Sequence, residues 1–124
     1  MKRTILTLTA ILCCILGFAK EPKRPDSYNY QRGCELINDE KLDEGMEFLN
    51  KELQQNPKNG YAYAWMASAM ALEEEYGNAI YYYEQAIKYI PKSDKYYHAW
   101  AHNLRANIAL EMKDTVLALS ECSI

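Results

Sequence analysis

The sequence predicts an all-α fold assembled from repeated helix–turn–helix units. Three observations predict it. First, shifting the chain by 34 residues lays Pro57 on Pro91, Gly33 on Ala67 and Gly45 on Ala79. Second, large apolar residues meet large ones in the same shift: Leu36 with Met70, Leu42 with Tyr76, Met46 with Ile80, Leu49 with Tyr83, Leu53 with Ile87. Third, the apolar positions recur at steps of three and four, the spacing of one helix face. Five Gly and four Pro in 124 residues are too few for a sandwich of many short, tightly turned strands.

The elements follow in order. Met1-Lys2-Arg3 is a short positive end, and Ile5 to Phe18 carries no charge. Gly17-Phe18-Ala19 puts small residues one and three positions before Lys20. That layout is a secretory signal peptide, residues 1–19, with cleavage after Ala19 and export to a periplasmic or external space. The apolar run is shorter than the roughly 20 residues a membrane-spanning helix needs. Cys13 and Cys14 raise lipid anchoring as an alternative, but Leu12 and Cys13 do not supply the small residue a lipobox wants before its cysteine. Residues 20–25 are charged and carry two prolines, which reads as a short extended leader.

Helices are expected over 27–39, 43–55, 60–74, 77–89, 94–112 and 115–124, making units of about 26–57, 60–91 and 94–124. Asp26 and Ser93-Asp94 are the N-cap candidates. In the second unit Tyr63, Met66, Ala67 and Met70 form one stripe, and Tyr76, Ile80, Tyr83 and Ile87 form the other. Proline closes the first two units, since a helix does not easily continue through it. In the third unit Tyr97, Trp100, Ala101 and Leu104 keep the phase, and then it slips. Taking Ala118 as the next helix-B alanine inserts about five residues near Ile108 to Met112, as a longer helix or a longer turn. The last unit is therefore extended and incomplete. That implies either a longer array or an end covered by self-association or a partner.

These residues resemble the tetratricopeptide repeat family. Its 34-residue unit has an early aromatic and a mid-helix small residue in helix A. Helix B carries an alanine, an aromatic four residues on, a small residue three later, and a closing proline. Tyr63, Ala67, Ala79, Tyr83, Ala86 and Pro91 fill those places in the second unit. The first unit is degenerate: Gly33, Gly45, Leu49 and Pro57 fit, whereas Asn29 replaces the early aromatic and Glu52 the later small residue. The resemblance covers about residues 26–124 and implies a right-handed α-solenoid. Small residues belong where the two helix axes approach, and large ones fill the flanking holes. Ala67, Ala79 and Ala86 are the contact points on this reading.

The resemblance also implies a concave helix-A groove for a protein or peptide partner. In register, Tyr30, Ala64 and His98 share one column, Cys34, Ser68 and His102 a second, and Ile37, Ala71 and Arg105 a third. The candidate groove residues are Tyr30, Cys34, Tyr61, Ala64, Ser68, His98, His102 and Arg105. Arg105 suits a ligand carboxylate, assisted by the histidines when protonated. The lysine–asparagine clamp of chaperone-tail binders is not matched, because Tyr30 and Cys34 stand in the first unit.

Little points to chemistry. HExxH, CxxC, GxSxG and glycine-rich phosphate loops are missing from the sequence. His98 and His102 have metal-ligand spacing but lack an evident third ligand. No catalytic residue, cofactor or metal is expected, and the chain is not read as an enzyme. Losing Lys2 and Arg3 with the signal takes Lys+Arg from 14 to 12 against 17 Asp+Glu, a mature charge of −5. That disfavours nucleic-acid binding. Cys34 and Cys122 fall in the first and last units, too far apart in a solenoid to bridge; Cys34 reads as a free groove thiol and Cys122 as a small buried apolar residue. Glu73-Glu74-Glu75 reads as a solvated turn. The leading expectation is an exported scaffold that binds protein or peptide. The alternative is the front module of a longer exported protein, with a sensory or substrate-handling role. An independent enzyme is the third reading, and no motif stands behind it.

Overall fold

The computed structural model describes residues 23–122, with side chains through residue 113. The signal-peptide expectation, and those for Ala118 and Cys122, lie outside what is described. Five helices follow the leader: α1 (Tyr28–Asn38), α2 (Leu42–Gln55), α3 (Gly60–Leu72), α4 (Tyr76–Tyr89) and α5 (Lys95–Cys122). Among the described residues there is no strand. Each helix packs on the next in sequence, and α3 also touches α1 and α5. The order of contacts is that of two helical hairpins, α1/α2 and α3/α4, with α5 laid against the second.

Small residues let each hairpin close. A Cβ built on Gly33 would sit 2.7 Å from Leu49 Cγ, and one on Gly45 would sit 2.6 Å from Ile37 Cγ1 and 3.0 Å from the Gly33 carbonyl oxygen. The α1 and α2 backbones therefore approach too closely for even a methyl group. In the second hairpin Ala67, Ala79 and Ala86 are fully buried, as contact points between axes must be. Around them lie Leu36, Ile37, Leu49, Met66 and Ile90, all buried. Tyr63 stacks on Tyr89 at 5.9 Å between ring centroids and lies 6.1 Å from Tyr82, closing one flank.

The turns inside the hairpins repeat atom for atom. Lys41 N–H donates to the Leu36 carbonyl at 2.8 Å, and Glu75 N–H donates to the Met70 carbonyl at 2.9 Å. Glu40 N–H donates to Ile37 and Glu74 N–H to Ala71. Glu40 and Glu74 hold φ of 63° and 62°. This is the Schellman ending of a helix, in which a left-handed residue lets the chain bond back onto the last turn. Glycine normally takes that place, and here two glutamates do.

The junctions between hairpins are built differently, around buried carboxylates. Glu52, where the repeat pattern wants a small residue, is 1% exposed. It accepts from Ser27 Oγ at 2.6 Å, Asn56 Nδ2 at 2.8 Å and Asn59 Nδ2 at 3.2 Å. Asn59 also caps α3, its Oδ1 accepting from Ala62 N–H. Three donors explain why a glutamate is tolerated there. At the next junction Asp94 Oδ1 accepts from Tyr97 N–H at 3.2 Å, the cap the sequence suggests. Asp26 does not cap α1: Ser27 stands at that N-cap, and its hydroxyl is spent on Glu52.

The third unit corrects the expected helix boundaries. No break occurs near residues 113–114, and α5 runs 28 residues without folding back. Beyond the reach of α4 it exposes apolar side chains, Leu110 at 60% and Met112 at 37%. Among the described residues no helix is long and apolar enough to cross a membrane.

Candidate functional site

A cleft of about 420 Å³ opens across α1, α3 and α5. The end of α1 and its turn supply Ile37, Asn38 and Glu40. Trp65, Ser68 and Leu72 come from α3, and Tyr96, Tyr97 and Trp100 from α5. Four of these are aromatic, and they pack on one another. Trp65 and Trp100 lie 5.5 Å apart between centroids, and Tyr97 meets Trp100 edge-on at 5.6 Å. Tyr96 and Leu72 are 66% and 63% exposed, so the apolar surface reaches the solvent. The Trp65 Nε1–H is buried and has no hydrogen-bond partner. An unsatisfied buried donor costs about 1–3 kcal/mol.

Of the residues expected in a groove, only Ser68 lines this cleft. Tyr30, Tyr61 and Ala64 are buried at 6%, 4% and 1% exposure within the core cluster, and the Tyr61 hydroxyl is engaged by Asp94. Burial, together with neighbouring Cys34 and Tyr97, pushes the Tyr30 phenol well above its usual range. Cys34 is a free, half-buried thiol whose pKa burial pushes up to about 12, against a lowering hydrogen bond from Tyr30. It is therefore a neutral thiol at physiological pH, a poor nucleophile.

His98 and His102 turn toward α4 and its end. His98 Nε2 donates to the Ile90 carbonyl at 3.0 Å, and His102 Nδ1 lies 2.8 Å from the Tyr83 hydroxyl. Arg105 lies close enough to Tyr83 to lower its phenol, against a larger raising by burial. The stripe the register draws through these three residues is thus largely engaged within the chain. Among the described residues no three His, Cys, Asp or Glu side chains gather as a metal would require. Glu73, Glu74 and Glu75 are exposed at the α3–α4 turn. Hydrogen bonding with Asp43 comes first in raising the Glu73 carboxyl.

The sequence does hold signals for the cleft. Tyr96 is largely exposed, where packing gives a large ring little to do, whereas Trp65 is half-buried against the core. Reading only the equivalent columns passed over them.

Comparison with protein-family models, with curated proteins and with solved structures returns no match.

Proposed function

We propose that the chain is an exported scaffold of tetratricopeptide-type repeats, and that it holds a protein or peptide segment in the cleft between α1, α3 and α5. The observation that carries this reading is the aromatic cleft itself, in which Trp65, Tyr96, Tyr97 and Trp100 gather beside the exposed Leu72. A polypeptide brings an apolar or aromatic side chain for the rings, and backbone amides that can pair with the Asn38 and Ser68 side chains of the lining. The repeated hairpins, with their small residues 34 positions apart, support the family reading. The charge-free run behind Met1-Lys2-Arg3 supports export. Glu40 at the rim and the acidic balance favour a partner without dense negative charge.

Selection of peptides from a random display library on the purified chain tests the proposal. Selected peptides should lose about threefold in affinity on Trp65→Phe, which keeps an aromatic ring and trims its contact area. They should lose more on Trp100→Ala. Tyr81→Ala, an exposed ring on α4 outside the cleft, should leave binding unchanged. Equal binding by Trp65→Phe, Trp100→Ala and wild type would remove the cleft from consideration.

A further inference from the structure

Arg24 ties the leader to the head of α5, at a point built like a receptor. Asp94 is fully buried. Arg24, 70 positions earlier, donates from Nε to Asp94 Oδ2 at 3.1 Å and from Nη2 to Oδ1 at 3.3 Å. This is the two-pronged fit of a planar guanidinium on a carboxylate. The Tyr61 hydroxyl donates to the same Oδ2 at 2.8 Å, so that oxygen accepts two hydrogen bonds. Above it, the Arg24 guanidinium carbon lies 4.7 Å from the Tyr97 ring centroid and 5.5 Å from that of Tyr96. Two aromatic faces and a buried carboxylate together favour a flat, weakly hydrated cation over a compact ammonium.

We propose that Asp94, Tyr61, Tyr96 and Tyr97 form a guanidinium-selective site, and that Arg24 occupies it as an intramolecular latch. Its ligand class is the arginine side chain. Burial alone would raise the Asp94 carboxyl, but the hydrogen bonds from Arg24, Tyr61 and Tyr97 N–H outweigh it and hold the group below its usual range. The site is therefore a buried anion that needs a cation. The latch carries the leader from the head of α1 to the head of α5, so it joins the first hairpin to the third unit. Tyr96 and Tyr97 also line the cleft, so the latch braces one cleft wall. The site stands independently of any ligand in that cleft.

Chemical rescue tests it. Arg24→Ala should lower the melting temperature of the purified chain. N-acetyl-arginine amide should then bind with a Kd on the order of millimolar and restore part of the melting temperature. N-acetyl-lysine amide at equal ionic strength should bind at least about fivefold more weakly. Wild type, its site already filled, should show no saturable binding. In the Arg24→Ala background, Tyr96→Ala should weaken arginine-amide binding severalfold, because that exposed ring contributes a face and little packing. Equal rescue by the lysine amide, or no saturable binding to Arg24→Ala, would overturn the proposal. So would a melt of Arg24→Ala that coincides with wild type.

Discussion

The two ends of the helical hairpins solve the same problem in opposite ways. At one end α1 passes into α2, and α3 into α4, through turns that match bond for bond and carry glutamates at φ 63° and 62°. At the other end, α2 passes into α3 and α4 into α5 through junctions that share a buried carboxylate but not its partners. One buries Glu52 under Ser27, Asn56 and Asn59, all neutral donors. The other buries Asp94 under Arg24, a cation, and Tyr61. The repeated turns rest on backbone bonds that any sequence of the right helical phase can make. The junctions rest on individual side chains, so each is a separate solution with its own sensitivity.

The largest effect should come from the charged junction. Asp94→Ala removes a helix cap, a bidentate ion pair and the acceptor of a buried phenol, and should cost about 3 kcal/mol. Arg24 is about a third exposed and can turn to water, which keeps the figure below that of a fully buried pair. The pH dependence has a definite sign. Asp94 has a folded pKa below its unfolded value of about 3.9. Its contribution is present above that value and is lost as pH falls through the folded pKa. The gap between wild type and Asp94→Ala in urea melts should therefore narrow as pH falls below about 3.9, by an amount set by the size of the shift. A constant gap across the series would place the Asp94 contribution in packing and remove the charge from the account.

The hairpin crossings should come next, and there the two hairpins can be set against each other directly. Gly45→Ala adds a methyl 3.0 Å from the Gly33 carbonyl and should cost about 2 kcal/mol by overpacking. At the equivalent Ala79, a methyl is already accommodated at zero exposure, so Ala79→Gly should cost about 1 kcal/mol. Opposite substitutions at one repeat position would then both destabilise. If Gly45→Ala stabilised the chain instead, the α1–α2 approach would be looser than its geometry implies.

This contrast also explains what could be read in advance. The first four helices were legible to within two residues, because volume sorting at a fixed shift reports helix packing. Gly33 over Ala67 and Gly45 over Ala79 are marks of that kind. The length of α5 was not legible from the repeat. The phase slip was read as a break, yet residues 95–122 contain neither Gly nor Pro, the residues that stop helices. Local propensity was the better guide there, since among the described residues nothing after the slip folds back to enforce the period. The Arg24–Asp94 pair was illegible for another reason. Arg24 reads as one charge among several in a leader, and nothing local says which carboxylate 70 residues on will be buried. Likewise His98, His102 and Arg105 were drawn into a groove by register alone, whereas a carbonyl at Ile90 and a phenol at Tyr83 decide where the histidines turn.

The smallest effect tests whether the matching turns are energetically the same. Glu40 and Glu74 each hold a left-handed conformation that disfavours an L side chain by roughly 1–2 kcal/mol. Glycine removes that strain but gives back part of the gain through the freedom it adds to the unfolded chain. Glu40→Gly and Glu74→Gly should therefore each stabilise by about 1 kcal/mol. The double variant should stabilise by about 2, because the two turns share no hydrogen bond. The surroundings differ in one respect: Glu74 has acidic neighbours on both sides, whereas Glu40 is followed by Lys41. If Glu74→Gly gains clearly more than Glu40→Gly, charge relief adds to the backbone term, and the turns are alike in geometry only. If the gains agree within a few tenths of a kcal/mol, the repeated bonds set the energy of both turns, and the sequence differences between the two hairpins act elsewhere.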